Sequence, residues 1–141
     1  MPVKDLYQKV IIDHNRHPRN SGELQGDYLA AERHNPVCGD QVKLMLKIDS
    51  AGQLHEVAFC AKGCAICSAS ASILTELISG KNIREIQVIS RQVFEIFQQK
   101  RPFEQLDLLG DLSALKGVLQ YPVRIKCVLL AWHALEDALP Q

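Results

Sequence analysis

Between Gln41 and Ile48 the chain alternates: Val42, Leu44, Leu46 and Ile48 fall on one side, Lys43 and Lys47 on the other. A period of two predicts a half-buried strand. Asp49-Ser50-Ala51-Gly52 predicts a hairpin turn, and about Gln53 to Ala61 the returning strand, with Val57 and Phe59 on one face. Cys60 falls on the opposite face and reads as structural. Tyr28 to Arg33 is a further strand candidate, and Asn35 through Asp40, with Pro36 and Gly39, reads as a turn or loop. After Gly63 the period becomes helical. Ile73, Leu74, Leu77 and Ile78 form one stripe running to Ser79, and Gly80 ends the helix. Ile83, Ile86, Ile89, Val93, Phe94 and Phe97 mark a second helix from about Ile83 to Lys100, broken at Arg101-Pro102. Glu104 to Gln120 reads as a loop with a short helix. Pro122 opens the last helix, which buries Ile125, Val128, Leu129, Trp132 and Leu135. At the front, Lys4 to Asn15 reads as a helix with Leu6, Val10 and Ile11 on one face, stopping before Pro18. His14 and His17 read as solvent-exposed histidines at its end, where the dipole favours cations. A hairpin first and helices later predict an α+β domain, with helices packed on one face of a small antiparallel sheet of about three strands.

A length of 141 residues predicts one domain, spanning 1–141. A formal net charge of zero argues against electrostatic binding to nucleic acid or to an anionic membrane. No apolar run approaches the roughly 20 residues of a membrane span. Met1-Pro2-Val3-Lys4-Asp5 carries no secretory pattern, because charges interrupt it early. The expected location is cytoplasmic, where thiols stay reduced. Five cysteines in that setting point to metal or sulfur chemistry rather than to disulfides.

Three thiols sit at breaks in regular structure. Cys38 lies in a Pro/Gly turn, Cys64 before a helix, and Cys127 in the first turns of the last helix. A helix start lowers the pKa of a nearby thiol. Asp40 lies two residues beyond Cys38, and Gly39 lets the backbone fold so that both point at one centre. Three thiolates and a carboxylate can close a tetrahedral site around a borderline-soft ion such as zinc. The same thiols are also readable as buried structural cysteines. A competing pattern is Cys64-Ala65-Ile66-Cys67, formally the Cys-x-x-Cys of disulfide oxidoreductases. That chemistry belongs to a parallel βαβ context, whereas the strands here read as an antiparallel hairpin. Cys67 is therefore taken as a bystander close to the metal.

Several stretches together resemble the U-type iron–sulfur cluster assembly proteins, the IscU/NifU-like family, and most closely its SufU branch. They are Leu6-Tyr7 with Asp13-His14 and Pro18-Arg19-Asn20; Asn35-Pro36-Val37-Cys38-Gly39-Asp40; Gly63-Cys64 with Ser68-Ala69-Ser70-Ala71-Ser72; Gly80-Lys81; and Arg124-Ile125-Lys126-Cys127 with Ala131-Trp132. IscU-type proteins carry histidine directly before the last cysteine, where this chain has Lys126. They carry a Leu-Pro-Pro-Val-Lys chaperone-docking motif where this chain has Gln120-Tyr121-Pro122-Val123-Arg124. Leu109 to Gly117 looks like the additional segment of the SufU branch, and Cys67 replaces the usual serine or alanine. The resemblance implies a Zn2+ site at Cys38, Asp40, Cys64 and Cys127. It implies a SufS-type cysteine desulfurase as partner, with persulfide sulfur accepted on Cys38 (Cys127 being the alternative acceptor) and passed to a downstream scaffold or apo-acceptor. Arg124 and Lys126 are candidates to stabilise thiolate charge beside Cys127. The alternative within the family is a scaffold in which Cys38, Cys64 and Cys127 hold iron or a transient [2Fe–2S] cluster. A non-catalytic zinc module for protein contacts is the third reading.

Overall fold

The structure is a computed structural model; it describes residues 3–140, with side chains from Tyr7 onward. The first helix, α1, spans Val3–Arg16. Three strands follow: β1 Leu29–Asn35, β2 Asp40–Ile48 and β3 Leu54–Lys62. They form one antiparallel sheet in the order β1-β2-β3. Then come α2 Ala65–Ile78, α3 Ile83–Phe97, two 3₁₀ segments at Phe103–Leu108 and Gly110–Gln120, and α4 Pro122–Ala138. Among the described residues no helix is long and apolar enough to cross a membrane.

The alternation in β2 does what a period of two requires. Val42, Leu44 and Leu46 enter the main core with Val57 and Phe59 from β3, and α2 and α4 cover that face. Lys43 and Lys47 do turn the other way, but that face is not open. Lys43 Nζ reaches Glu23 Oε1 at 3.2 Å, and Gly26 lies beside Lys47 Nζ. The 23–28 segment thus lies across the outer face, and Met45, between the two lysines, is fully buried. β1 begins one residue later than read and runs on to Asn35, whose Cα pairs with Asp40. The turn proper is therefore only residues 36–39.

α3 ends at Phe97 rather than Lys100, because Gln98 caps it and Gln99 takes a positive φ of 63°. Its start is fixed by a capping box. Asn82 accepts from the Glu85 N–H at 2.9 Å, and Glu85 accepts from the Asn82 N–H at 3.1 Å. Asn82→Ala is expected to cost about 1 kcal/mol. In thermal unfolding that is a fall in Tm of about 4 °C, with the thiol cluster undisturbed.

The stretch read as a loop with a short helix is mostly 3₁₀. Leu106, Leu109, Leu112, Leu115 and Val118 recur every third residue and are all buried. With three residues per turn a 3₁₀ helix stacks such positions on one side. The expectation for His14 is overturned. It is fully buried, and its Nδ1 meets Ser72 Oγ at 2.7 Å and its Nε2 meets Asp111 Oδ2 at 2.8 Å. His14 lies three and four residues after Ile11 and Val10, so it continues their stripe instead of ending the helix in solvent. The contact ties α1, α2 and the second 3₁₀ segment together. His17 is exposed as read, and the Leu6 side chain lies outside the described residues.

Candidate metal centre

The site forms where the β1–β2 turn, the start of α2 and the start of α4 meet. Cys38 sits on the turn, where Gly39 has φ +72° and its N–H donates to the Asn35 carbonyl at 2.8 Å. Asp40 begins β2 and is fully buried. Its Oδ1 accepts from the Cys64 backbone N–H at 2.8 Å. Cys64 is the N-cap of α2: its backbone is extended, and its sulfur accepts from the Cys67 N–H at 3.4 Å. Cys127 lies in α4, fully buried, with its thiol turned to the Val123 carbonyl at 3.6 Å.

These placements bring distant side chains together. Cys127 Sγ is 3.9 Å from Cys38 Sγ. Ligand atoms of Cys38, Asp40 and Cys127 lie within 4.8 Å of one another. Cys64 stands outside that mutually close trio and joins it through Asp40, its Sγ lying 3.6 Å from Asp40 Oδ2. The spacing fits a zinc-sized ion. Zinc–sulfur bonds of about 2.3 Å give a tetrahedral sulfur–sulfur edge of about 3.8 Å, and a zinc–oxygen bond of about 2.1 Å gives a mixed edge of roughly 3.6 Å. The chemistry of the donors fits as well. Burial pushes the Cys127 thiol up, with Asp40 and Cys64 close by adding to it. Such a thiol ionises readily only when a cation takes the proton's place on sulfur, as a bound metal would, with the proton released to solvent.

Other sequence-singled residues sort cleanly. Cys67 is fully buried in the main core, and burial pushes its thiol up to about 12. The sheet is antiparallel, so Cys64 and Cys67 lack the parallel βαβ setting that the Cys-x-x-Cys redox reading requires. Cys60 is half-buried on the sheet face away from the main core, opposite Lys43. Arg124 and Lys126 are exposed, three residues and one residue before Cys127 in α4, and among the described residues neither is ion-paired. Two positions named in the sequence were given no role of their own there. Gly63 packs so tightly that an added Cβ would lie 2.1 Å from Asp40 Oδ1. Asn35, which closes β1 ahead of the Cys38 turn, is buried. The Asn-Pro start of that turn was the available signal for Asn35; for Gly63 it was its place directly before Cys64.

A small antiparallel sheet with helices on one face, and thiols and a carboxylate gathered at one end, defines a class of thiol-bearing α+β proteins. The chain matches the NifU-like N-terminal domain over residues 6–139, and it belongs to that family. It is 43% identical over 135 residues to the zinc-dependent sulfurtransferase SufU of Bacillus subtilis, spanning 95% of this chain and 89% of that protein. It is 37% identical over 138 residues to the iron–sulfur cluster assembly scaffold protein IscU of Streptococcus pyogenes, spanning 97% of this chain and 84% of that one. The crystal structure of the SUF-system protein FiSufU from Fervidobacterium islandicum superimposes with a TM-score of 0.86 at 29% identity, covering 99% of this chain and all of that one.

Proposed function

We propose that this protein is a zinc-holding sulfur acceptor of iron–sulfur cluster assembly, built as one cytoplasmic domain. It takes persulfide sulfur from a cysteine desulfurase and passes it to a downstream scaffold or apo-acceptor. The observation that carries this reading is the 3.9 Å approach of Cys38 and Cys127, residues far apart in the chain, beside buried Asp40. Asp40, Cys64 and Cys127 would hold the ion from regular elements, and Cys38 from the turn. The ion would keep the thiols as thiolates without redox chemistry of its own.

Cys38 is the member of this set best placed to let go. Cys127 is locked in the core and half-buried Cys64 caps a helix, whereas half-buried Cys38 sits on a turn next to Val37, which is 78% exposed. As a thiolate, Cys38 attacks the outer sulfur of the desulfurase persulfide. A new S–S bond forms at Cys38, the donor's S–S bond breaks, and the electron pair leaves with the donor thiolate. This is thiol exchange with no net oxidation. Exposed Arg124 and Lys126 add positive charge near the anionic sulfurs.

The test is zinc content of the purified protein together with desulfurase turnover, followed by mass-spectrometric mapping of the persulfide. One bound zinc, faster turnover and a persulfide on Cys38 are expected. Unchanged turnover would sink the reading. The scaffold alternative draws on the IscU relative, since the same thiols can hold iron. Anaerobic reconstitution that yields a cluster and transfers it to an apo-acceptor would favour that alternative.

A further inference from the structure

Asn35 closes β1 and pairs with Asp40 across the strand. Cross-strand partners put their side chains on the same face, with Cβ atoms about 5 Å apart. Asn35 therefore shares a face with a proposed ligand, at the foot of the turn that carries Cys38. Its Oδ1 accepts from the Val37 N–H at 3.3 Å, which fixes the orientation of the amide. Its Nδ2 is then the free end. That nitrogen is buried and has no hydrogen-bond partner among the described residues, and the residue is only 8% exposed. Two other described side chains share this condition, Ser90 and Trp132, and neither belongs to the turn. A buried donor without an acceptor lowers stability, so its retention calls for a reason.

An acceptor arrives when Cys38 carries sulfur. A persulfide adds a second sulfur about 2.05 Å beyond Sγ, and that outer atom bears the negative charge. We propose that Asn35 is a positioning residue for sulfur transfer: its Nδ2–H donates to the outer sulfur of the Cys38 persulfide. This role rests on the sulfur-acceptor reading above. The bond is charge-assisted, and it holds the outer sulfur against the turn, away from small thiols in solution, until the downstream protein docks.

The experiment loads the zinc-bound protein with a desulfurase and cysteine, removes the desulfurase, and adds glutathione. Intact-mass spectrometry then follows loss of the Cys38 persulfide. Asn35→Ser keeps a hydroxyl to accept from the Val37 N–H and removes the amide donor. It is expected to hold as much zinc as the natural protein and to load at Cys38, but to lose the outer sulfur about tenfold faster. Asn35→Asp, which also keeps the acceptor and adds a repelling charge, should lose it faster still. Equal zinc content with a loss rate within about twofold of the natural protein would overturn the role. So would loss of zinc in Asn35→Ser, which would make the amide part of the turn's construction. If the natural protein never carries sulfur on Cys38, the acceptor reading itself fails, an outcome distinct from a variant-specific result.

Discussion

Gly63→Ala is expected to strip the metal from the protein, lowering zinc affinity by roughly 100-fold. The added Cβ would lie 2.1 Å from Asp40 Oδ1 and 2.8 Å from Asp40 Cα. The second distance decides the outcome, because a backbone atom cannot rotate away. Gly63 also has φ +134°, a conformation that side-chain-bearing residues avoid. Relief requires β2 and the start of α2 to part, which breaks the Cys64 N–H bond to Asp40 and moves two proposed ligands at once. The overpacking should also cost about 1–3 kcal/mol of stability. Gly39→Ala is the control. It has φ +72° but nothing within 4 Å of the added carbon, so it carries strain without collision. It should lose about 1–2 kcal/mol and keep most of its zinc. Chelator competition monitored alongside thermal unfolding separates the two. If Gly63→Ala binds zinc as tightly as Gly39→Ala, the tight packing of Gly63 on Asp40 does not organise the site.

The elements that could be read from the sequence are those whose local pattern and tertiary role agree. β2 alternates because one face meets α2 and α4, and α3 is bounded by its own capping box. The thiols were legible as candidates because they interrupt regular structure. That they converge depends on the register Asn35↔Asp40 and on α4 lying against β1 and β2, neither of which a local pattern encodes. The misreadings share a cause. The lysine face of β2, a strand read as half-buried, is crossed by residues 23–28, a segment with no periodicity of its own. His14 is buried because Ser72 and Asp111, distant in sequence, supply its partners. The leucines from Leu106 onward repeat every third residue, a spacing that an eye set for 3.6 passes over.

Cys38→Ala is expected to abolish sulfur acceptance while leaving the protein folded. Cys38 is half-buried on a turn, so its loss should cost about 1 kcal/mol or less. Asp40, Cys64 and Cys127 remain, enough ligands for a zinc site with one open position. Weaker zinc retention is therefore expected, not complete loss. Relocation of the persulfide is hindered at both remaining thiols. Cys127 is fully buried in α4, and Cys64, half-buried, is engaged as the cap of α2 while contacting Asp40. Desulfurase stimulation should fall at least about 100-fold, a difference of about 2.7 kcal/mol in the transfer step. Circular dichroism and zinc analysis establish that the variant is intact, and mass spectrometry establishes where any sulfur goes. A persulfide on Cys127 with preserved turnover would transfer the acceptor role to that residue. It would also mean that α4 opens at its first turn, because a fully covered sulfur cannot otherwise meet its donor.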